Sequence, residues 1–128
     1  MALAAPDIAE ITQLYAVYNL AVDDGDGDGF AGCFVGEGAL VADGNPIAGH
    51  AALADFARSV PVGLPGIRHI SNNVSLTGDG DAAAGRCYLI VVIAGGQPQV
   101  LMTGSYRDTL RREDGAWRFV RRDFTADR

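Results

Sequence analysis

Residues 99–125 read QVLMTGSYRDTLRREDGAWRFVRRDFT, two strand-like runs on either side of the dipeptide Asp114–Gly115. Aspartate followed by glycine is a preferred composition for a tight hairpin turn, because both central residues of that turn need a positive φ. Two further runs precede this hairpin, GIRHISNNVSLTG (66–78) and AAAGRCYLIVVIA (82–94), and turn compositions again separate them. The second half of the chain therefore predicts four strands joined as an antiparallel meander.

The first half of the chain has the periodicity of helices. Residues 6–24, PDIAEITQLYAVYNLAVDD, begin with Asp7 and Glu10 at the spacing of a capping box, and Gly25 follows as a helix terminator. Apolar residues recur at helical spacing over this segment and predict one buried stripe. The stripe consists of Ile8, Ile11, Leu14, Tyr15, Tyr18 and Val22.

Two shorter helices and a hairpin are predicted between the first helix and the strands. A helix over Asp28–Val35 would bring Phe30 and Phe34 to one side, and a short hairpin is expected near Ala39–Ile47. Residues 49–60, GHAALADFARSV, predict the third helix. Helices that precede an antiparallel meander are typical of an α+β fold, with the helices packed on one face of the sheet.

The composition indicates a folded protein without a nucleic-acid or membrane partner. At 128 residues the chain can bury one core but not two, so we expect a single domain over residues 1–128. A formal charge of −6 argues against binding to nucleic acid or anionic membranes, which requires a basic surface. The start, MALAAPDIAE, lacks the features of a secretory signal, and the longest apolar run is too short to span a bilayer. Cys33 and Cys87 match no metal or redox spacing, so we expect two buried thiols in a cytoplasmic protein.

The segment AVDDGDGDGF (21–30) allows three interpretations. As a calcium loop it fails at the twelfth position, where Val35 replaces the required glutamate, so that only a weak cation site remains open. GDGFAG (27–32) matches a dinucleotide-binding glycine pattern, but a helix rather than a strand precedes it. The third interpretation makes Asp23, at the edge of the apolar stripe, a functional carboxylate that requires a proton donor or a cation. Otherwise all four aspartates are solvated turn residues.

His69 is the candidate partner of Asp23. Strict alternation in the strand GIRHISNNV puts His69, Ser71 and Asn73 on the same face. If the helices cover this face, the imidazole enters the space between the helices and the sheet. A single histidine in a strand can equally be a structural residue held by hydrogen bonds, and the two interpretations stay open at this point.

The sequence as a whole resembles the SnoaL-like members of the nuclear transport factor two-like superfamily. The matching pieces are LYAVYNLAVDDGD (14–26), IAGHAALADF (47–56), RHISNNV (68–74), GDAAAGRCYLIV (80–91) and GSYRDTLRREDGAWRFVRRDF (104–124). The resemblance implies a cone-shaped α+β fold, in which three N-terminal helices pack into a curved, mostly antiparallel sheet and enclose an apolar pocket. It also implies a homodimer formed through the outer face of the sheet.

The resemblance further implies roles for three residues. Members that act on ring-shaped lipophilic molecules, such as scytalone dehydratase and bile-acid 7α-dehydratase, use a pocket histidine, an aspartate and a tyrosine. Tyr18, Asp23 and His69 match those positions, whereas His50 lies elsewhere and does not supply the second histidine of scytalone dehydratase. The implied reaction is dehydration or isomerisation of a small lipophilic, cyclic hydroxy or keto compound, with no metal and no organic cofactor.

Two points about this assignment remain open in the sequence. Tyr18 and Asp23 are five residues apart and diverge by about 140° on a straight helix, so they can converge on one substrate only if the helix unwinds near Asp23, which the following glycines permit. The alternative function is a non-catalytic ligand-binding or dimerisation module of the same fold. An epoxide hydrolase is disfavoured, since we cannot assign the Asp-Arg-Asp set that the limonene-epoxide type uses to position water.

The walls of the expected pocket are apolar with a few polar groups, as a site for a hydrophobic ligand requires. The same side chains could instead fill the core. The expected wall residues, which would bind the substrate, are Leu14, Phe34, Phe56, Tyr88, Met102 and Tyr106.

The last two strands carry a tryptophan, a phenylalanine and a cluster of arginines. Trp117 and Phe119 are expected in the core or at a dimer contact. The arginines are expected on solvated strand faces or at a dimer interface, although they could also hold the phosphate of an acyl carrier. They are Arg107, Arg111, Arg112, Arg118, Arg121 and Arg122.

Overall fold

The computed structural model describes residues 2–128, which form three helices and six strands. The helices all lie in the first half of the chain, and the four longest strands follow as predicted. The elements are α1 (Ala5–Asp24), α2 (Gly27–Ala31), β1 (Phe34–Ala42), β2 (Asn45–Ala48), α3 (His50–Gly63), β3 (Ile67–Asp79), β4 (Ala82–Ile93), β5 (Gln99–Glu113) and β6 (Ala116–Ala126).

The six strands form one mixed sheet in the order β2-β1-β6-β5-β4-β3. Strands β3 to β6 form the predicted antiparallel meander, while β1 pairs parallel to β6. Asp114 and Gly115, between β5 and β6, both have positive φ, as the predicted hairpin turn requires. The sheet has two edges, β2 and β3, and does not close into a barrel. The predicted α+β class, with three helices on one sheet, is confirmed.

The predicted second helix, Asp28–Val35, is wrong in its second half. Helix α2 ends at Ala31, and Phe34 begins strand β1, in which it pairs with Phe119 of β6. The glycines after Val35 disfavour a helix in this segment. The parallel pairing with β6 provides hydrogen-bond partners for its backbone instead, which explains why the segment is a strand. The predicted hairpin near Ala39–Ile47 is confirmed as the end of β1 and the whole of β2.

Helix α1 differs from its prediction at both ends. Asp7 caps the helix by accepting a hydrogen bond from the backbone of Ala4, but Glu10 accepts one from the backbone of Trp117 and takes no part in a cap. At the other end the helix continues regularly to Asp24, and Gly25 stops it in a left-handed conformation with φ 69°. The helix therefore does not unwind near Asp23.

The core lies between the helices and the inner face of the sheet, and it is rich in aromatic rings. The ring of Tyr18 packs against Phe30, Phe34 and Phe119. Trp117 and Phe119 are both buried within the chain, so they lie in the core and not at a dimer contact. Cys33 and Cys87 are buried free thiols, as expected. Within residues 2–128 no helix is long and apolar enough to cross a membrane.

Candidate active site

Asp23 and His69 form a close pair between α1 and the edge strand β3. The Oδ1 atom of Asp23 lies 2.6 Å from Nδ1 of His69, and both carboxylate oxygens lie 3.1 Å from the backbone nitrogen of His69. Since a carboxylate accepts hydrogen bonds, Nδ1 carries the hydrogen, and in the neutral ring Nε2 is left as the acceptor. Both side chains are largely buried, at 13% exposure for His69 and 14% for Asp23.

The pairing follows from the geometry of the two elements. Asn19 and Asp23 are one helical turn apart on α1, and Ser71 and His69 are two residues apart on β3, so two polar contacts join the helix to the strand. The second contact is the hydrogen bond of 2.9 Å from the Asn19 amide to the Ser71 hydroxyl. The row of side chains predicted on this face of β3 ends at Ser71. A bulge between residues 72 and 75 leaves Asn73 exposed with φ 55°. The expected inward position of Asn73 is wrong for this reason.

A cavity of about 260 Å³ lies between the helices and the inner face of the sheet. His69 forms part of its wall, together with the hydroxyl-bearing rings of Tyr18 and Tyr106 and the side chain of Asp43 at the β1–β2 turn. The rest of the wall is mainly apolar. It includes Val22, Leu40, Phe56, Leu89, Val91 and Phe124.

Tyr18 and Asp23 contribute to this site in different ways. The Tyr18 side chain reaches the cavity directly, whereas Asp23 lies behind His69 and acts on the cavity only through the imidazole. A straight helix can therefore supply both residues, because the two side chains need not point in the same direction.

The two tyrosine hydroxyls lie side by side in the cavity wall, with their oxygens 3.4 Å apart. Burial raises the pKa of Tyr18 well above its usual value, and Tyr106 raises it further. The pKa of Tyr106 is also raised, again mainly by burial. Both groups therefore stay protonated at neutral pH and can donate hydrogen bonds to a ligand oxygen.

The expected wall residues divide into two groups. Phe56, Met102 and Tyr106 line the cavity. Phe34 is completely buried in the core and Leu14 packs at its margin, so neither lines the cavity. Tyr88 lies on the opposite face of β4 and is 51% exposed, because strand alternation turns it away from buried Cys87 and Leu89.

A buried ion pair lies behind the tyrosine rings and was not predicted. Arg122 donates two hydrogen bonds to Asp108, at 2.8 and 3.0 Å, and both side chains are completely buried. The hydroxyl of Tyr15 also donates to Asp108. Burial disfavours the charged guanidinium, but Asp108, Tyr106 and Tyr18 together outweigh this and hold the pKa of Arg122 well above its usual value. For Arg122, the expected position on a solvated face or at a dimer interface is wrong.

The alternation of inward and outward side chains along β5 and β6 could have predicted this ion pair. Asp108 and Arg122 are register partners on β5 and β6, and the residues two positions away, Tyr106 and Phe124, are large and apolar. A charged residue in an inward row calls for an opposite charge on the neighbouring strand. The guanidinium stacks on Tyr106, with 3.6 Å between its central carbon and the ring centroid, and also on Tyr18.

The acidic segment between α1 and α2 has a structural role. Asp26 caps α2 by accepting a hydrogen bond from the backbone of Gly29, and Asp28 pairs with Arg58 of α3 at 3.2 Å. In the described part of the chain, no group of three or more histidine, cysteine or acidic residues is placed to hold a metal. Asp23 is thus separate from the other three aspartates, which lie at the end of α1, in the turn and on α2.

These features define an α+β protein with a helix-covered, mixed sheet and an aspartate–histidine pair beside an apolar cavity. Residues 4–123 match the model of the SnoaL-like domain, and the chain belongs to this family. No curated protein matches the chain significantly in sequence.

Solved structures share the whole fold. Rv3472 from Mycobacterium tuberculosis, a protein of unknown function, is 36% identical, with a TM-score of 0.88 over 94% of this chain and 72% of that one. An NTF2-like protein with a cystatin-like fold from Novosphingobium aromaticivorans is 28% identical, with a TM-score of 0.88 over 94% and 82%. A protein of unknown function from Nostoc punctiforme is 26% identical, with a TM-score of 0.91 over 99% and 96%. The chain is therefore an NTF2-like protein, as its sequence pattern implied.

Proposed function

We propose that the protein is an acid–base enzyme that dehydrates or isomerises a small lipophilic, cyclic hydroxy or keto compound. The supporting observation is the bond of 2.6 Å between Asp23 and Nδ1 of His69, made where the imidazole forms the wall of an apolar cavity. A carboxylate on one ring nitrogen fixes the tautomer of a histidine and stabilises its protonated form, which is what a general base requires.

His69 would act as the base through Nε2. This atom accepts the proton from the carbon next to the substrate carbonyl, and the electrons of the broken C–H bond move onto the carbonyl oxygen as an enolate. If a hydroxyl lies β to the carbonyl, the imidazolium returns its proton to that hydroxyl, the C–O bond breaks and water leaves. If the substrate instead has a carbon–carbon double bond β,γ to the carbonyl, the imidazolium returns the proton to the γ carbon, and the double bond moves into conjugation with the carbonyl.

Tyr18 would stabilise the enolate that forms in either reaction. Its side chain lines the cavity with His69, and its raised pKa keeps the hydroxyl protonated, so that it could donate a hydrogen bond to the developing oxyanion. Asp23 positions His69 and would not touch the substrate. The proposed steps are proton transfers and, in the dehydration, the loss of water that they drive, and no step calls for a metal or an organic cofactor.

A deuterium-exchange experiment tests this function without knowledge of the natural substrate. 2-Acetylnaphthalene is a neutral two-ring ketone with exchangeable hydrogens next to its carbonyl. In deuterium oxide we expect the wild-type protein to accelerate the incorporation of deuterium at this position, as followed by NMR. His69→Gln should abolish the acceleration, and Tyr18→Phe should reduce it about tenfold or more.

Tyr88→Phe is the matched control, because this tyrosine lies on the outer face of the sheet and should leave the exchange rate unchanged. If wild-type protein binds the ketone but leaves exchange at its uncatalysed rate, the acid–base function is contradicted. The chain would then be a non-catalytic ligand-binding module, which is the alternative that the apolar cavity also allows.

We further propose a homodimer formed through the outer face of the sheet. Ile70 and Tyr88 present large side chains on this face and are 47% and 51% exposed. Apolar side chains in such positions favour association with another surface. Light scattering on the purified protein should give the mass of a dimer, and Tyr88→Glu should shift it towards the monomer. A wild-type monomer at high concentration would contradict this proposal.

We also place the protein in the cytoplasm. Cys33 and Cys87 are both buried and unbonded, which suits a compartment in which thiols stay reduced. Fractionation of the source cells with an antibody against the protein should find it with the cytoplasmic markers, and recovery with secreted proteins would contradict this.

A further inference from the structure

We infer that Asp43 selects against anionic ligands, so that the natural substrate is an uncharged molecule of one or two fused rings. This inference rests on the proposed function, because it concerns the ligand of the same cavity. It assigns a specificity role to a residue that the proposed chemistry does not use.

The charges around the cavity all disfavour an anion. Asp43 is one of the residues of the wall, and the carboxylate of Asp23 lies behind His69. The chain has no lysine, and none of its described arginines lines the cavity. Arg122 comes closest through its stacking on Tyr18 and Tyr106, but its charge is already paired with Asp108. An anionic ligand would therefore lose its hydration without gaining a cationic partner.

Asp43 is fixed in its position at the cavity by the backbone around it. The residue has a left-handed conformation with φ 48°, and its backbone nitrogen donates to the carbonyl of Phe124 at 2.9 Å. Its Oδ1 accepts a hydrogen bond of 3.1 Å from the backbone of Ala126. The only neighbouring cation in the described chain is Arg128, at 3.5 Å and 77% exposed, which neutralises the carboxylate weakly.

The size of the cavity limits the ligand as well. An apolar cavity of about 150 Å³ is large enough for benzene, and drug-sized ligands generally occupy about 300 Å³ or more. At about 260 Å³ this cavity fits a molecule of one or two rings, whereas a four-ring skeleton exceeds it.

Three probes test this inference by calorimetry. 2-Acetylnaphthalene and 2-naphthoate are nearly equal in shape, but only the second carries a negative charge, and progesterone is a neutral ketone with four rings. We expect the wild-type protein to bind the neutral two-ring ketone about tenfold or more tightly than naphthoate, and to bind progesterone more weakly than that ketone.

Two variants then isolate the role of Asp43. Asp43→Asn keeps an oxygen for the hydrogen bond from Ala126 and tolerates the left-handed conformation, so the variant should fold normally. It should reduce the ratio of the affinities for 2-acetylnaphthalene and 2-naphthoate by about threefold or more. Arg128→Gln removes the neighbouring positive charge and should increase this affinity ratio. Asp28→Asn is the control, because this exposed aspartate on α2 lies outside the cavity and should change neither affinity.

The outcomes separate this inference from the proposed function. Equal affinity for naphthoate and 2-acetylnaphthalene, or an unchanged difference in Asp43→Asn, overturns the role of Asp43 while the acid–base function stands. Tighter binding of progesterone overturns the limit on size. If no probe binds, the cavity is not a ligand site, and the inference and the proposed function both fail.

Discussion

Asp23 holds His69 at two points, with one carboxylate oxygen 2.6 Å from the ring Nδ1 and both oxygens 3.1 Å from the backbone nitrogen. The backbone contact also satisfies a donor on the free edge of β3, where no neighbouring strand is available. One carboxylate thus fixes the strand, the position of the imidazole and its tautomer. The consequence is an acceptor nitrogen, Nε2, on a ring that lines an apolar cavity.

Replacement of Asp23 by asparagine should damage the site more than the fold. Asp23→Asn keeps the shape but loses the charge that both hydrogen bonds use, so the free energy of unfolding should fall by about 1.5–3 kcal/mol. Deuterium exchange into 2-acetylnaphthalene should fall about a hundredfold or more, because the histidine tautomer is no longer fixed. Urea denaturation and NMR measure the two effects. Asp24→Asn, on the exposed neighbour, is the control, and equal losses in both variants would show that Asp23 has no special role.

Replacing only one member of the buried pair of Arg122 and Asp108 should strongly destabilise the fold. Arg122→Met leaves a buried carboxylate without its cation, and we expect the free energy of unfolding to fall by about 3–5 kcal/mol. The double variant with Asp108→Leu should recover part of this loss, since no buried charge then remains. Arg121→Gln breaks an exposed pair with Asp123 and should cost about 1 kcal/mol or less. A single Arg122 variant as stable as Arg121→Gln would contradict the buried pair.

The buried tyrosines should make the protein sensitive to alkali. Burial raises the pKa of Tyr15, Tyr18 and Tyr106 in the folded state. Above about pH 10 the unfolded chain releases these protons while the folded chain retains them, so the free energy of unfolding falls as the pH rises. In Tyr18→Phe the slope should be smaller by up to about 1.4 kcal/mol per pH unit. Urea denaturation between neutral and alkaline pH measures this, and a stability that rises above pH 10 would contradict it.

Gly85 should tolerate no side chain, because a Cβ atom there would overlap the hydroxyl of Tyr15, the group that donates to Asp108. We expect Gly85→Ala to lower the free energy of unfolding by about 1–3 kcal/mol. Gly36→Ala is the matched control, since its Cβ would meet nothing within 4 Å. Thermal unfolding compares the two variants, and equal melting temperatures would show that Tyr15 can move without cost.

Local patterns were sufficient to predict most of the fold. The turn at Asp114–Gly115 and the strand alternation gave the meander, because these signals depend on neighbouring residues. The second helix was wrong because Phe34 and Val35 belong to a strand that pairs with β6, more than eighty residues further along the chain. Pairing over such a distance leaves no local signal in an apolar segment.

The sequence identified part of the candidate site. It placed Asp23 and His69 together because the resemblance named both positions, and it found Tyr18 in the same way. It missed Asp43, which reaches the cavity only through the left-handed turn between β1 and β2. It also misjudged Tyr88, because the inward face of β4 depends on the register with its neighbours.

The central claim is that Asp23 holds Nδ1 of His69 while Nε2 faces a ligand, and nitrogen-15 NMR of the histidine rings tests it most directly. The chain has only two histidines, so His50→Gln assigns the signals. We predict that Nδ1 carries a ring hydrogen, with a low-field proton signal that Asp23→Asn abolishes, and that the Nε2 signal shifts when 2-acetylnaphthalene binds. A neutral ring protonated on Nε2, or an Nε2 signal that bound ligand leaves unchanged, would contradict the account.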